Sequence, residues 1–216
     1  MAPSSEASHL PPLERDVLRG RAEVVAPALL GTLLVRIESD GSRSVARIVE
    51  TEAYRQDDPA SHSHAGRTPR TEPMFAAPGT AYVYRSYGVH WCCNVTVEEE
   101  GVGAAVLLRA ARLLRGHELV RPRRVAAKQD RDLLRGPGRL TQALGIDGPR
   151  HDRTDLLDPQ NTVLLADDGW RPPQTAVRAG GRVGVRLAAG VPWRFWIAGQ
   201  PEVSPYRPHP RAERPA

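Results

Sequence analysis

One segment, residues 44–54, constrains the fold of this chain more than any other. It is rich in Val, Ile and Thr, a composition that favours a β-strand. Because side chains alternate between the two faces of a strand, Glu50, Glu52 and Tyr54 share one face. The opposite face carries Val49, Thr51 and Ala53. That second face can pack on a core, whereas the first either lines a polar site or is a solvated face, since unpaired carboxylates are costly to bury.

A second informative segment predicts a β-hairpin. Two strand-like stretches, residues 79–84 and 89–97, follow the turn signal Pro78-Gly79 and are joined by residues 85–88. Tyr87 lies at this tip, where a large aromatic side chain cannot easily reach its own core. In proteins that act on nucleic acids, such a side chain enters between bases and fills the place of a displaced one. The alternative is that Tyr87 folds back onto the sheet.

The remaining local signals predict few helices and several more short strands. Residues 19–30 favour a helix that Pro27 kinks or delays and that ends at Gly31. Residues 137–144 favour a helix that is closed by Gly145. Further strands are predicted at residues 32–37, 104–110, 182–187 and 193–197. Short strands joined by hairpins, with a few helices, predict a single α+β domain.

The domain is predicted to span residues 13–204. Residues 1–12 are rich in Ser, Ala and Pro and are predicted to be disordered, and residues 205–216 are predicted to form a loose tail rich in Pro and Arg. A chain of 216 residues suits one domain with its own core, and we expect a monomer. The N-terminus lacks the apolar segment of a signal peptide, and no stretch approaches the length of a membrane span.

The charge balance favours a nucleic-acid partner. The formal net charge is +5, and the sequence pI is about 9.7. Residues 109–139 contain ten basic side chains, nine Arg and Lys128, against three acidic ones, a local net charge of +7. A basic stretch of this kind attracts phosphate and releases counterions, so binding depends on salt. A generally Arg-rich composition explains part of the excess.

Cysteine and histidine usage argues against a disulfide framework and against a zinc site. Cys92 and Cys93 are adjacent in a predicted strand, so they face opposite ways and suit a reducing compartment. We therefore expect a cytoplasmic protein, nucleoid-associated if the source is bacterial. His62 and His64, with Glu50 or Glu52, are an alternative metal-binding set. Because the surrounding stretch is rich in Pro, Gly, Ser and Asp, it is predicted to be a loop, and we expect no metal or cofactor.

Several ordered motifs resemble one enzyme family, the alkyladenine (3-methyladenine) DNA glycosylases. A lone Glu-Thr-Glu-Ala-Tyr would be weak evidence, but seven blocks occur in the order of the family and span roughly residues 18–204. The blocks lie at residues 48–54, 60–63, 68–75, 78–94, 106–110, 136–144 and 182–185. The resemblance implies a curved, mostly antiparallel sheet flanked by helices, with the Tyr87 hairpin protruding to insert into DNA.

The resemblance also implies roles for individual residues. Glu52 matches the catalytic acidic residue, which activates the attacking water. The side chains around the flipped base are matched by Tyr54, His62 and Tyr84, and a pocket asparagine that discriminates among purines is matched by Asn94.

Two further residues match DNA contacts of the family, and a third is predicted to bind DNA. Tyr87 matches the tyrosine that enters the minor groove, and Arg109 matches an arginine close to the sugar-phosphate of the reacting nucleotide. Arg139, in the block at residues 136–144, is grouped with them as a DNA-binding residue. The implied substrate is double-stranded DNA with damaged purines.

The physical chemistry of base excision agrees with these roles. Extracting a base costs a few kcal/mol, and stacking on aromatic rings returns about 1–3 kcal/mol. A purine alkylated on a ring nitrogen is cationic, so the faces of Tyr54 and Tyr84 should attract it. The only lysine, Lys128, lies outside the motifs, which favours a monofunctional hydrolase over a lyase.

Two other function classes stay open on the sequence alone. A non-catalytic sensor of DNA damage would need Tyr87 and the basic stretch but not Glu52. A metal-dependent nuclease would use Glu50, Glu52 and the two histidines at 62 and 64. Alkylated purines, hypoxanthine and etheno-adenine are all compatible substrates, because they differ by a few atoms at the pocket floor.

Overall fold

The structure, a computed structural model, describes residues 10–213; residues 1–9 and 214–216 lie outside that range. Within residues 10–213, eight strands form one antiparallel sheet. The strands are β1 (Leu33–Ile37), β2 (Arg43–Tyr54), β3 (Ala81–Ser86), β4 (His90–Thr96), β5 (Ala105–Arg115), β6 (Val163–Ala166), β7 (Val177–Gly180) and β8 (Arg194–Ile197). The helices are α1 (Ala22–Ala28), α2 (His117–Val120), α3 (Pro137–Leu144) and α4 (Gly148–His151).

Strand β2 lies at the centre of the sheet. The main path runs β3-β4-β5-β2-β1-β6, and β8 joins β2 to β7. One edge of β2 pairs with β1 in its first half and with β8 in its second half, where Glu52 is opposite Arg194. Its other edge pairs with β5. The prediction of a single α+β domain with a mostly antiparallel sheet is confirmed.

The predicted division of β2 into two faces is also confirmed. Val49 and Ala53 belong to the main hydrophobic core, and helix α1 packs on this side of the strand. Thr51 donates its hydroxyl to the Ala26 carbonyl of α1 at 2.8 Å, so the one polar residue on this face has a partner. The opposite face is therefore free to carry Glu50 and Glu52 toward other groups.

The helix predictions agree with the structure in one case and need correction in the other. Helix α3 has the predicted bounds, and Gly145 follows it in the left-handed conformation. The predicted helix at residues 19–30 is too long, because α1 contains only Ala22–Ala28. A separate 3-10 turn, Arg15–Leu18, precedes it. Pro27 lies inside α1 and cannot donate a backbone hydrogen bond, so the helix ends one residue later.

The strand predicted at residues 182–187 is wrong. The segment forms turns, because the backbone N–H of Val183 donates to the Glu52 carboxylate instead of to a neighbouring strand. Gly184 has φ of 72°, which an extended strand does not allow. The short strands β6 and β7 were not predicted, and β5 continues to Arg115, beyond its predicted end.

The predicted termini fall partly outside the described residues. Within them, Pro12 forms a bridge with Ala166 of β6, at the edge of the sheet. The C-terminal segment runs beside the loop at residues 182–187, since Gly184 N donates to Arg207 O and Glu213 N donates to Arg186 O. Between residues 10 and 213, none of the helices has the length and hydropathy needed to cross a bilayer.

Candidate active site

A buried carboxylate centre, composed of Glu50, Glu52, Arg109 and Arg194, lies where β2, β5 and β8 meet. The pairing of β2 with β5 is irregular here: Glu50 is opposite Ala110, and Thr51 is opposite Leu108. Arg109 is thus an extra residue in β5. A bulge of this kind re-aims a side chain, and bulges are frequent beside active sites. It allows Arg109 to reach both glutamates of the neighbouring strand.

Glu52 accepts hydrogen bonds from three donors. Its Oε2 accepts from the Tyr54 hydroxyl at 2.9 Å and from Arg109 Nη1 at 3.1 Å. Its Oε1 accepts from Val183 N at 2.7 Å. Burial, and next the Glu52 charge, raise the pKa of Tyr54 well above its ordinary value, so the phenol stays protonated and donates. Arg109 and these donors hold the Glu52 carboxylate in one orientation.

Glu50 accepts four hydrogen bonds, one more than Glu52, so this face of β2 is not a solvated face, which was the alternative left open by the sequence. Its Oε1 accepts from Arg109 Nε at 2.8 Å and from Arg194 Nε at 2.7 Å, and both its oxygens accept from Ser204. Burial opposes a charge on Glu50, but Arg109 and Arg194 outweigh it and hold the pKa of this carboxyl below its ordinary value. Glu50 therefore orients Arg109 against Glu52.

Aromatic side chains form a second part of the site. Tyr82 and Tyr84 lie on the same face of β3, with ring centroids 5.3 Å apart and nearly parallel planes. His62 meets Tyr84 edge to face at 4.6 Å, and its Nδ1 is 3.0 Å from the Tyr82 hydroxyl. Burial, and next Arg70, lower the pKa of His62, which favours a neutral ring.

A cavity of about 890 Å³ lies between the carboxylate centre and the aromatic side chains. The predicted residues that line it are Glu52, Tyr54, His62, Tyr84, Tyr87, Asn94 and Arg109. Asn94 is buried and donates its Nδ2 to the Tyr82 carbonyl at 2.9 Å. Tyr82 also lines the cavity and was missed by the sequence reasoning, although its position two residues before Tyr84 was the available signal.

The tip of the hairpin is the most exposed aromatic position of the site. The turn between β3 and β4 consists of residues 87–89, and Tyr87 has φ of 50°. Its side chain is 88% exposed, and the neighbouring Val89 is 65% exposed. Tyr87 therefore does not fold back onto the sheet, which was the alternative left open by the sequence.

The positive charges around the cavity opening do not come from the basic stretch at residues 109–139. Within residues 109–139, Arg109 pairs with the two glutamates, Arg121 with Asp130 and Arg123 with Glu38. Arg139 is exposed on α3 but does not line the cavity. The cations around the opening come from elsewhere in the chain, and we call them the cavity-mouth arginines: Arg70, Arg85, Arg186 and Arg207. All four are exposed, and none has a carboxylate partner among residues 10–213.

The two histidines of the alternative metal set have different environments. Both are exposed, but His62 lines the cavity, whereas His64 does not, and the Nδ1 of His64 is 3.2 Å from the Gln56 carbonyl oxygen. In the part of the chain that the structure describes, no group of three or more His, Cys, Asp or Glu side chains has a geometry that could hold a metal ion.

Comparison with known proteins gives consistent matches along most of the chain. Residues 16–201 match the family described as Methylpurine-DNA glycosylase (MPG). A protein of Streptomyces avermitilis is 45% identical over 206 residues, which cover 94% of this chain and 96% of the relative. A protein of Burkholderia orbicola is 46% identical over 185 residues, covering 85% and 86%, and one of Frankia casuarinae is 48% identical over 201 residues, covering 88% and 90%.

All three relatives are provisionally named 3-methyladenine DNA glycosylase. The family match and the relatives both extend over the carboxylate centre, the aromatic residues and the hairpin. The resemblance seen in the sequence motifs is thereby confirmed. The chain belongs to the methylpurine-DNA glycosylase family and is a DNA repair enzyme of the 3-methyladenine DNA glycosylase type.

Proposed function

We propose that the enzyme flips a damaged purine out of duplex DNA into the cavity and hydrolyses its N-glycosidic bond with a water activated by Glu52. The observation that carries this proposal is the state of the Glu52 carboxylate, which lies at the cavity wall and is held by three donors. Among residues 10–213, Oε1 accepts only the Val183 hydrogen bond, so it keeps the capacity to accept a second one, from water.

The carboxylate has two functions in this reaction. Breaking the glycosidic bond leaves cation-like character on the sugar, as in other glycoside hydrolyses, and a nearby negative charge stabilises it. The same carboxylate takes a proton from the attacking water. Arg109 supports both functions, because it holds the carboxylate through Oε2 and, among residues 10–213, does not donate to Oε1.

The aromatic residues support selection of alkylated purines. A base in the cavity would meet the rings of Tyr54, Tyr84 and His62. The electron-rich faces of the two tyrosines attract a cationic purine beyond ordinary stacking. Asn94 uses one Nδ2 hydrogen for the Tyr82 carbonyl, so its Oδ1 and its second Nδ2 hydrogen would be the groups available to the edge of the base.

Binding to the duplex is assigned to the exposed groups around the opening. The side chain of Tyr87 projects from the hairpin tip, where it would occupy the gap left by the flipped nucleotide. The cavity-mouth arginines lie around the same opening without carboxylate partners in residues 10–213, so their charges are available to phosphates.

The same arrangement favours a monofunctional hydrolase. A lyase needs an amine that attacks the sugar, and the single lysine, Lys128, does not line the cavity. We propose a cytoplasmic enzyme that acts as a monomer, in keeping with the two buried free thiols Cys92 and Cys93.

The test is single-turnover base release from duplexes that contain one 3-methyladenine, hypoxanthine or etheno-adenine, with EDTA present. Wild type should release free base and leave an abasic site. Glu52→Gln should bind the same duplexes but release base about 10²–10⁴-fold more slowly. Glu118→Gln is the matched control, because Glu118 is exposed and lies outside the cavity. Release at the wild-type rate by Glu52→Gln would remove this residue from the mechanism.

A further inference from the structure

A second buried ion pair, between Arg182 and Asp58, lies behind the cavity wall. Both side chains have almost no exposure, and Arg182 donates to both carboxylate oxygens of Asp58, from Nη2 at 3.0 Å and from Nη1 at closer range. Nη1 also donates to the Ala53 carbonyl of β2 at 3.0 Å. Asp58 in turn accepts from Ala60 N at 3.0 Å, within the loop that leads to His62.

The guanidinium of Arg182 lies between two aromatic rings. Its central carbon is 4.8 Å from the centroid of the Tyr54 ring and 5.4 Å from that of Trp193. Tyr54 lines the cavity and Arg182 does not, so the guanidinium covers the ring face that is turned away from the cavity. The ring that would stack on a flipped base is therefore supported from behind by a fixed cation.

Arg182 is also the covalent neighbour of the residue that donates to the catalytic carboxylate. Val183 N donates to Glu52 Oε1 at 2.7 Å, and that backbone position depends on where the Arg182 side chain is anchored. One ion pair thus connects three segments of the site: the end of β2 with Tyr54, the loop before His62, and the loop that contacts Glu52.

Stability alone does not account for such a pair. Desolvation of two buried charges cancels much of their attraction, and apolar replacements of similar volume are often neutral or stabilising. A bidentate pair does fix geometry, because the planar guanidinium meets the carboxylate in one orientation.

We propose that Arg182 and Asp58 are positioning residues for base excision. The pair holds the Tyr54 ring against the flipped base and keeps the Val183 N–H on Glu52. The inference builds on the proposed function, since it assigns a geometric role to groups behind that same site.

The chain contains a closely matched control pair. Arg47 donates to Asp168 through two hydrogen bonds of 3.0 and 2.6 Å, donates to the Gly31 carbonyl at 2.6 Å, and lies 4.6 Å over the ring of Trp170. The hydrogen bonds and the ring contact resemble those of the Arg182 pair, but the side chains of Arg47 and Asp168 are 15% and 29% exposed, and they do not line the cavity. Removing the control pair shows how much the rate of base release depends on a stacked Arg–Asp pair that does not contact the site.

The experiment compares single-turnover base release by wild type, by Arg182→Met combined with Asp58→Leu, and by Arg47→Met combined with Asp168→Leu. The first double variant leaves no unpaired buried charge, so it should fold. We expect its rate to fall by about 10- to 100-fold, the scale of a misplacement of about 1 Å, and the control to keep the wild-type rate. Release by wild type checks the proposed function separately.

The dependence of base release on enzyme concentration separates positioning from general loosening. Both side chains of the Arg182–Asp58 pair have almost no exposure and cannot contact DNA, so we expect the first double variant to lower the maximal rate and to keep the half-saturating concentration of wild type. A raised half-saturating concentration with an unchanged maximal rate, an equal loss of rate in the control pair, or a wild-type rate would each overturn the proposal.

A milder variant keeps the test decisive if the double variant does not fold. Arg182→Lys retains the charge but cannot bind Asp58 in a bidentate manner or cover the Tyr54 ring. We expect a smaller loss of maximal rate with an unchanged half-saturating concentration. A wild-type maximal rate in Arg182→Lys would contradict the proposed role.

Discussion

In the carboxylate centre every oxygen of Glu50 and Glu52 accepts a hydrogen bond, whereas the groups at the cavity mouth are exposed and lack carboxylate partners within residues 10–213. The difference separates two tasks. Charges that take part in the reaction are paired inside the protein, so their positions are fixed before DNA arrives. The charges that meet DNA have no carboxylate partner within residues 10–213, although Arg70 and Arg85 lie over the rings of Tyr84 and Trp91, so phosphates can neutralise them.

We therefore expect similar substitutions of arginine to change the free energy of unfolding by very different amounts in the two regions. Arg109→Met leaves two buried carboxylates without their shared cation and should lower the free energy of unfolding by about 3–5 kcal/mol. Arg207→Gln at the cavity mouth should change it by no more than about 0.5 kcal/mol. Urea denaturation measures both. A loss of less than about 1 kcal/mol for Arg109→Met would show that the centre is not held by its charges.

The hairpin tip should matter for the flipped state and not for folding. Tyr87→Ala removes an 88% exposed ring, so stability should stay near wild type. The equilibrium between stacked and flipped base should shift by about 1–3 kcal/mol, the value of one stacking contact. Fluorescence of an etheno-adenine in the duplex follows this equilibrium. Tyr87→Phe is the control and should retain most of the effect; equal losses in flipping and in binding to undamaged DNA would argue against a wedge.

The carboxylate centre also predicts a dependence of stability on pH. The pKa of Glu50 is lower in the folded protein than in the unfolded chain, because Arg109 and Arg194 favour its charged form. Its contribution is therefore complete above the ordinary glutamate pKa of about 4.3 and is lost as pH falls through the folded pKa. The difference in unfolding free energy between wild type and Glu50→Gln should shrink on acidification in that window. A constant difference would mean that Glu50 does not act through its charge.

The smallest expected effect is on the salt dependence of DNA binding. If Arg186 and Arg207 each neutralise one phosphate, replacing either with Gln should reduce the slope of log K against log salt concentration by about 0.9. Fluorescence anisotropy with undamaged duplex measures the slope. Arg121→Gln is the control, because Arg121 already pairs with Asp130 and should change the slope less. Equal changes in all three variants would mean that the basic stretch at residues 109–139 and the cavity mouth contribute alike.

The sequence allows prediction of features that depend on local periodicity. The two faces of β2 follow from strict alternation, and α3 follows from Pro137 at its start and Gly145 at its end. The hairpin is predicted for the same reason, apart from a tip that lies at residues 87–89.

The sequence does not give the contacts that depend on distant partners. The bulge that brings Arg109 to Glu52 depends on the register in which β2 pairs with β5, and local sequence does not determine that register. The segment at residues 182–187 has a strand-like composition, but Val183 is bound by Glu52, 131 residues away in sequence. Charge counting fails for a related reason, since it cannot tell that Arg121 and Arg123 are already paired with acidic residues.

The most direct test of the division between the two regions is the dependence of single-turnover base release on enzyme concentration. It gives the maximal rate and the half-saturating concentration for Glu52→Gln and for Arg186→Gln combined with Arg207→Gln. We predict that Glu52→Gln lowers the maximal rate without changing the half-saturating concentration. We also predict that the double arginine variant raises the half-saturating concentration without changing the maximal rate. Changes of the same parameter in both variants would contradict it.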